Sequence, residues 1–270
     1  MTDAETTGPG VAEGPSRRRR WVTRGLTALG VVLVALVVAV AVWLATPYAV
    51  EPAAWDEALA RDDVEIAERD GDWWLSPAEG DPDVGVVFYP GARVRPEAYV
   101  PTWAPIVAEA DVVVAIPEMP LNLAVLDRDR AASLVAAPPV DAAAALDRWH
   151  VGGHSMGGAM AASWLGTDPA VAVEGLVLWA SFSTGGAGLE AREDLEVLSV
   201  AGSRDGLATL EDIEERRDLL PPDADLQTVE GMNHAQFGRY GDQWRDQRPA
   251  ITDAQAQREL TERVSEHLQR

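Results

Sequence analysis

Residues 25–46 carry no charge and consist mainly of Val, Leu and Ala. A helix of 22 such residues would be about 33 Å long at 1.5 Å per residue, matching a hydrocarbon core of roughly 30 Å. No face of it is polar, which fits a buried soluble helix poorly. Beyond it the pattern changes to short apolar runs bounded by Gly, Pro or Asp, at 84–89, 112–116, 149–152, 176–180, 195–200 and 226–229. Runs of this length read as buried strands, and 64–67 with 73–75 around Asp70-Gly71 read as an opening hairpin. The stretches 97–110, 140–146, 155–166 and 207–219 are long enough for helices, and 253–268 closes the chain. In that last stretch Leu260, Val264 and Leu268 recur every four residues behind a Thr252/Gln255 capping box. Strands alternating with helices predict an α/β fold, a mostly parallel sheet with helices on both faces.

Charge orients this plan. Arg17 to Arg20 and Arg24 precede the apolar run, while Glu51, Asp56 and Glu57 follow it. The positive-inside rule then sets the N-terminus in the cytoplasm and the remainder outside, a single-pass protein of the cell membrane. Trp21, Trp43 and Tyr48 stand where interfacial aromatics belong. A cleaved export signal is the competing reading, with Ser16-Arg17-Arg18 loosely of twin-arginine type. Against cleavage, the run exceeds a signal core of about 7 to 15 residues and no clean A-x-A site follows. The expected layout is a disordered cytoplasmic tail at 1–24, a transmembrane helix at 25–46, a linker at 47–62 and one folded domain at 63–270.

Composition narrows the chemistry. The 270 residues contain no Cys and four His, which excludes disulfides, a thiolate nucleophile and a Cys-rich zinc site; no metal or cofactor is expected. Every basic residue is Arg, and the net charge is −22, which repels phosphate backbones and excludes nucleic acid as a partner. The first 24 residues set Asp3, Glu5 and Glu13 against five arginines, a local +2, so the part beyond residue 50 carries −24. Such a surface suits solubility in concentrated salt, as it does GC-rich codon usage with ordinary solubility.

One segment carries a nucleophile. Gly153-His154-Ser155-Met156-Gly157 is a G-x-S-x-G between a predicted strand and a predicted helix. The turn requires strained dihedrals at the serine, and glycines leave room where side chains would clash. A nucleophile elbow needs an acid and then a base, each after a later strand. Asp205 follows the run 195–200 and His234 follows 226–229. Read separately, Ser155 could be a helix cap and Asp205 a turn residue before Gly206. His150, His154 and His267 suit structural positions better than the base.

With these residues the chain resembles the α/β-hydrolase fold, and within it the dienelactone-hydrolase-like esterases, over 64–269. GGHSMGGAMAA, FYPGARVRPEAYVP, IPEMPLNLAVLD and EGMNHAQFGRYGDQ are similar to that group's blocks in order and spacing. The elbow GHSMGG also resembles that of cutinases and polyester hydrolases. A dienelactone hydrolase proper carries Cys at the elbow, and Ser155 here points to ester-type chemistry.

The expected reaction is cleavage of a carboxylic ester or related acyl bond in a small-molecule substrate, through an acyl-enzyme. His234 takes the Ser155 proton, Asp205 holds the imidazole tautomer, and the N–H groups of Met156 and Ala92 bind the oxyanion. Met119, Leu121 and Asn122, after the run 112–116, are expected to line the substrate, and Phe182 and Trp103 could add aromatic contacts. The segment 181–190 is short and glycine-rich, so no cap domain is expected. Acyl transfer to another acceptor uses the same triad, and a non-catalytic hydrolase-fold binding domain is the reading of another class. Oligomeric state is not readable from the chain.

Overall fold

The structure, a computed structural model, describes residues 17–270; most of the expected tail, 1–16, lies outside the described residues. Two units divide the chain, one ending at Ala45 and a compact body spanning Thr46–Arg270. The first contains helix α1, Arg17–Ala45, within which Arg24–Ala45 is long and apolar enough to cross a membrane. Residues 17–24, assigned to the tail from sequence, are thus helical.

The compact body takes in residues 47–62, the stretch expected as a linker. There α2, Pro52–Leu59, buries Ala54 and Ala58, and Trp55 meets Trp73 edge-on with centroids 5.0 Å apart. A buried stripe made of two alanines gives too weak a hydrophobic pattern to read from sequence.

Eight strands follow: β1 Val64–Arg69, β2 Asp72–Pro77, β3 Val84–Tyr89, β4 Val112–Ile116, β5 Arg148–His154, β6 Gly175–Trp179, β7 Glu196–Gly202 and β8 Asp225–Val229. They form one sheet in the order β1-β2-β4-β3-β5-β6-β7-β8. The β1–β2 hairpin turns on Asp70 and Gly71, both at positive φ, as an Asp-Gly pair favours. β2 is antiparallel to both its neighbours, and every pair from β4 to β8 is parallel.

The helices of the body after α2 are α3 Val100–Ala110, α4 Arg130–Ala136, α5 Met156–Leu165, α6 Leu210–Glu214 and α7 Asp253–Leu268. Alternation along the strands divides the core. Val86 and Phe88 with Val114, Trp179 and Val200 face α3 and α7, whereas Val87 and Tyr89 with Val113, Val151 and Leu178 face α4 and α5. Strands buried on both faces are the near-continuous apolar runs seen in the sequence. Each fully buried large aliphatic or aromatic side chain contributes about 1.5–3 kcal/mol, so these layers hold the strand ends that carry the site. Trp103, a candidate aromatic contact, belongs to this core: it is fully buried and stacks on Trp179 at 4.8 Å.

Two helices differ from expectation. The stretch 140–146 holds only a 3-10 turn at Asp141–Ala143, because after Pro138-Pro139 its alanines offer no apolar stripe and Ala142 and Ala144 stay exposed. The helix of this connection is α4, where Ala131 and Leu134 are buried three residues apart. The stretch 207–219 breaks into α6, opened by a Thr209/Asp212 capping box, and a 3-10 turn at Arg217–Leu219. The Thr252/Gln255 box does open α7, and Leu260, Val264 and Leu268 are buried along it. Between β6 and β7 lies only a 3-10 turn, Leu189–Ala191, and among the described residues this connection holds no helical insertion.

Backbone strain collects at that edge. Non-glycine residues with positive φ follow β3 (Arg93), β4 (Leu121 and Asn122), β5 (Ser155) and β6 (Ala180). Such conformations persist only where the surrounding structure imposes them, and they gather at functional sites.

Candidate active site

Ser155 alone separates β5 from α5, with φ 54° and ψ −123°. Its neighbours enforce this. A Cβ on Gly153 would lie 2.5 Å from the Gly157 carbonyl carbon, and one on Gly157 would run into the carbonyl oxygens of Tyr89 and Pro90. Two hydrogen bonds fasten the turn beyond the strand: Ser155 N–H donates to Trp179 O at 2.9 Å, and Ser181 Oγ donates to Ser155 O at 2.7 Å. Ser155 is partly exposed, while Gly153, His154 and Gly157 are buried.

Asp205 and His234 meet at the ends of β7 and β8. Asp205 Oδ2 accepts from His234 Nδ1 at 2.7 Å, and both side chains are almost wholly buried. The other oxygen, Oδ1, accepts from the N–H groups of Leu207 (2.8 Å) and Ala208 (2.7 Å). Each carboxylate oxygen is thus occupied, which fixes the plane of the carboxylate and with it the edge of the imidazole it holds. The His234 ring lies 4.3 Å, centroid to centroid, from that of His154, the chain neighbour of Ser155.

The loop after β3 is equally constrained. Gly91 N–H donates to Tyr99 Oη at 2.9 Å and Arg93 N–H to Asn122 O at 2.7 Å, so the amides on either side of Ala92 are both engaged. Tyr99 Oη also bonds His154 Nδ1 at 2.8 Å. Burial pushes the Tyr99 phenol up from its ordinary pKa and the His154 imidazole well down. The phenol is therefore protonated and the imidazole neutral. Tyr99 Oη thus stands between the Gly91 amide, from which it accepts, and the neutral His154 ring. Arg93, at φ 59°, leaves this loop toward Tyr48, whose N–H donates to Arg93 O (2.7 Å) and whose carbonyl accepts from Arg95 N–H (2.9 Å).

The residues expected to line the substrate divide. Met119 is buried among Tyr89, Ala124 and Ala131 of the core, Leu121 is 56% exposed, and Asn122 engages Arg93 through its carbonyl. Met119 therefore packs the base of the loop and offers no exposed wall. Phe182 lies under the Arg216 guanidinium, 4.3 Å from carbon to ring centroid. Tyr99 and Ser181 were not singled out from sequence. Ser181 could have been found as the second residue after the run ending β6; Tyr99 lies at a helix start, with no signal of its contact to the elbow.

A family model described as the alpha/beta hydrolase family matches residues 85–259. No curated protein sequence matches. Among solved structures, an esterase of Pyrobaculum calidifontis in a monoclinic crystal form superposes with a TM-score of 0.56 at 16% identity, over 80% of this chain and 90% of the other. A structure described as the hyperthermophilic esterase of that archaeon gives 0.56 at 17%, over 80% and 88%. At such identity the likeness speaks for the fold, which agrees with the strand order. Since the family model spans well over half of its length, the chain belongs to the alpha/beta hydrolase family.

Proposed function

We propose that the protein is a membrane-anchored serine hydrolase that cleaves carboxylic esters of small molecules through Ser155, His234 and Asp205. The observation that carries this reading is the buried Asp205–His234 hydrogen bond of 2.7 Å beside an elbow that holds Ser155 at φ 54°. Ser155 Oγ attacks the ester carbonyl carbon while His234 Nε2 takes its proton. Asp205 Oδ2 keeps the other imidazole proton on Nδ1 and stabilises the cation. The tetrahedral oxyanion is held by Met156 N–H, at the start of α5 where helix amides lack internal partners, and by Ala92 N–H, the amide left between two engaged ones. Collapse breaks the carbon–oxygen bond, the alcohol leaves with the proton from His234, and the acyl group stays on Ser155. Water, deprotonated by His234, then releases the carboxylic acid and restores the serine.

The short β6–β7 connection, without a helical insertion, supports a small or extended ester over one that requires a lid. The apolar stretch Arg24–Ala45 would hold the domain at the cell membrane, with the preceding arginines on the cytoplasmic side. A fluorophosphonate probe applied to the full chain in detergent, followed by peptide mapping, tests the reading. The adduct is expected on Ser155 and absent in Ser155→Ala; folded wild-type protein that takes no adduct overturns it.

A further inference from the structure

Asp205 and His234 stand on two loops 29 residues apart, and their mutual hydrogen bond orients the imidazole only if the loops keep their separation. A third segment spans both. Asp246 Oδ1 accepts from Gly206 N–H at 3.0 Å, and Oδ2 accepts from Ala235 N–H at 2.9 Å. Gly206 follows the acid directly and Ala235 follows the base directly. One carboxylate thus bridges the backbone next to each, with Gln247 N–H as a further donor to Oδ1 at 2.8 Å. Hydrogen bonds to an ionised carboxylate are short and strong relative to neutral ones. We infer that Asp246 is a positioning residue for ester cleavage, a clasp that sets the distance between the Asp205 and His234 loops.

The segment is built to present it. Arg245 adopts φ 72°, which turns the chain immediately before the carboxylate. A Cβ on Gly206 would stand 2.8 Å from Arg245 O, so glycine is what lets the strap close over the acid loop. Asn233 Nδ2 donates to Gln247 O at 2.8 Å and Ala250 N–H to Gly231 O at 2.8 Å, tying the strap to the base loop on the approach to the histidine. These bonds hold the strap to one loop, while the Asp246 carboxylate joins the two. The requirement is for two acceptor oxygens. An asparagine keeps one and sets an NH₂ group against the other amide; an alanine keeps neither.

The clasp rests on the serine-hydrolase reading, and the test separates the two. Full-length wild type, Asp246→Ala, Asp246→Asn and, as a control in the same strap, Arg248→Ala are titrated with the fluorophosphonate and assayed on a soluble short-chain ester. Rates are expressed per titrated site. Wild-type labelling at Ser155 upholds the underlying reading, and its failure sinks that reading first. With labelling present, kcat per site is expected to fall about 10- to 100-fold in Asp246→Ala, as misplacement of catalytic groups by an ångström does, with KM within about threefold of wild type. Asp246→Asn should fall between the two and Arg248→Ala should match wild type. The downfield proton signal of the Asp205–His234 hydrogen bond should broaden in Asp246→Ala. A role in stability alone would lower Tm and the number of titrated sites without changing kcat per site. That result, or one in Asp246→Asn should the alanine variant fail to fold, overturns the clasp while leaving the triad standing.

Discussion

The imidazole of His154 stands against that of His234, centroids 4.3 Å apart at 45°. The residue before the proposed nucleophile thereby packs on the proposed base, and Tyr99 fixes it through Nδ1 while holding Gly91 of the loop that carries Ala92. Three parts of the site, each from a different strand end, are joined by one phenol and one neutral imidazole. In the proposed mechanism a protonated His154 would place two cations side by side when His234 takes the serine proton; burial keeps it neutral.

Tyr99→Phe removes that joint without changing shape. Gly91 N–H and His154 Nδ1 are left buried and unpaired, at about 1–3 kcal/mol each. We expect a clear fall in Tm and a lower kcat as the Ala92 amide loses its fixed position. Thermal unfolding and steady-state ester hydrolysis check this, and wild-type values in both would show that the phenol does not hold the loop.

Much of this was legible in the chain because the signals are local. Each buried strand is a run of apolar residues between turn formers, and Ser155, Asp205 and His234 each follow such a run. The capping box of α7 is a pattern four residues long. What was hidden depends on contacts between distant segments. Asp246 lies in a stretch with no period, and its partners are 40 and 11 residues away. Met119 reads as a wall of the site because it follows a strand, yet it is buried in the core on the α4–α5 side of the sheet. The helix α2 has only alanines to bury, so the strength of its packing could not be seen before Trp55 was found against Trp73.

Ser155→Ala should abolish ester turnover with Tm close to wild type, since the hydroxyl is partly exposed and the turn is held by backbone bonds. Asp205→Asn should be nearly as severe for a different reason. The amide oxygen stays with the N–H groups of Leu207 and Ala208, which leaves its NH₂ facing His234 Nδ1. The imidazole must then carry its proton on Nε2, where it cannot accept the serine proton, and kcat should drop by about 10⁴-fold. A loss under tenfold would mean that Asp205 does not set the tautomer.

Gly157→Ala tests whether close backbone approach is what shapes the elbow. The added methyl meets the carbonyl oxygens of Tyr89 and Pro90, which belong to the strand end and loop that carry Ala92. Backbone cannot rotate away as a side chain can, so α5 or that loop has to move. A destabilisation of about 1–3 kcal/mol is expected from the overpacking. Both proposed oxyanion donors, Met156 and Ala92, lie on the elements displaced, and activity should fall by about 10²-fold. Urea unfolding and turnover would show both; an active variant of unchanged stability would mean that this contact is slack.

The last prediction concerns acid. His150 on β5 and His267 on α7 face each other with ring centroids 6.0 Å apart, both buried, and none of their four ring nitrogens has a hydrogen-bond partner among the described residues. Burial lowers the His150 pKa to about 3, assisted by His267 and Arg148. It lowers that of His267 to about 4, assisted by Arg270 and opposed by Asp225. In the unfolded chain both titrate near 6.5. Between these values the unfolded state binds protons that the native state refuses, so stability is intact above pH 6.5 and is lost as pH falls toward 4 and then 3. Each ring contributes at most about 1.4 kcal/mol per pH unit. The urea midpoint should therefore decline from pH 6.5 to 4.5, and the decline should be shallower in a His150→Leu, His267→Leu double variant. A midpoint that is flat across that window in the wild type would mean that the pair takes up protons without unfolding.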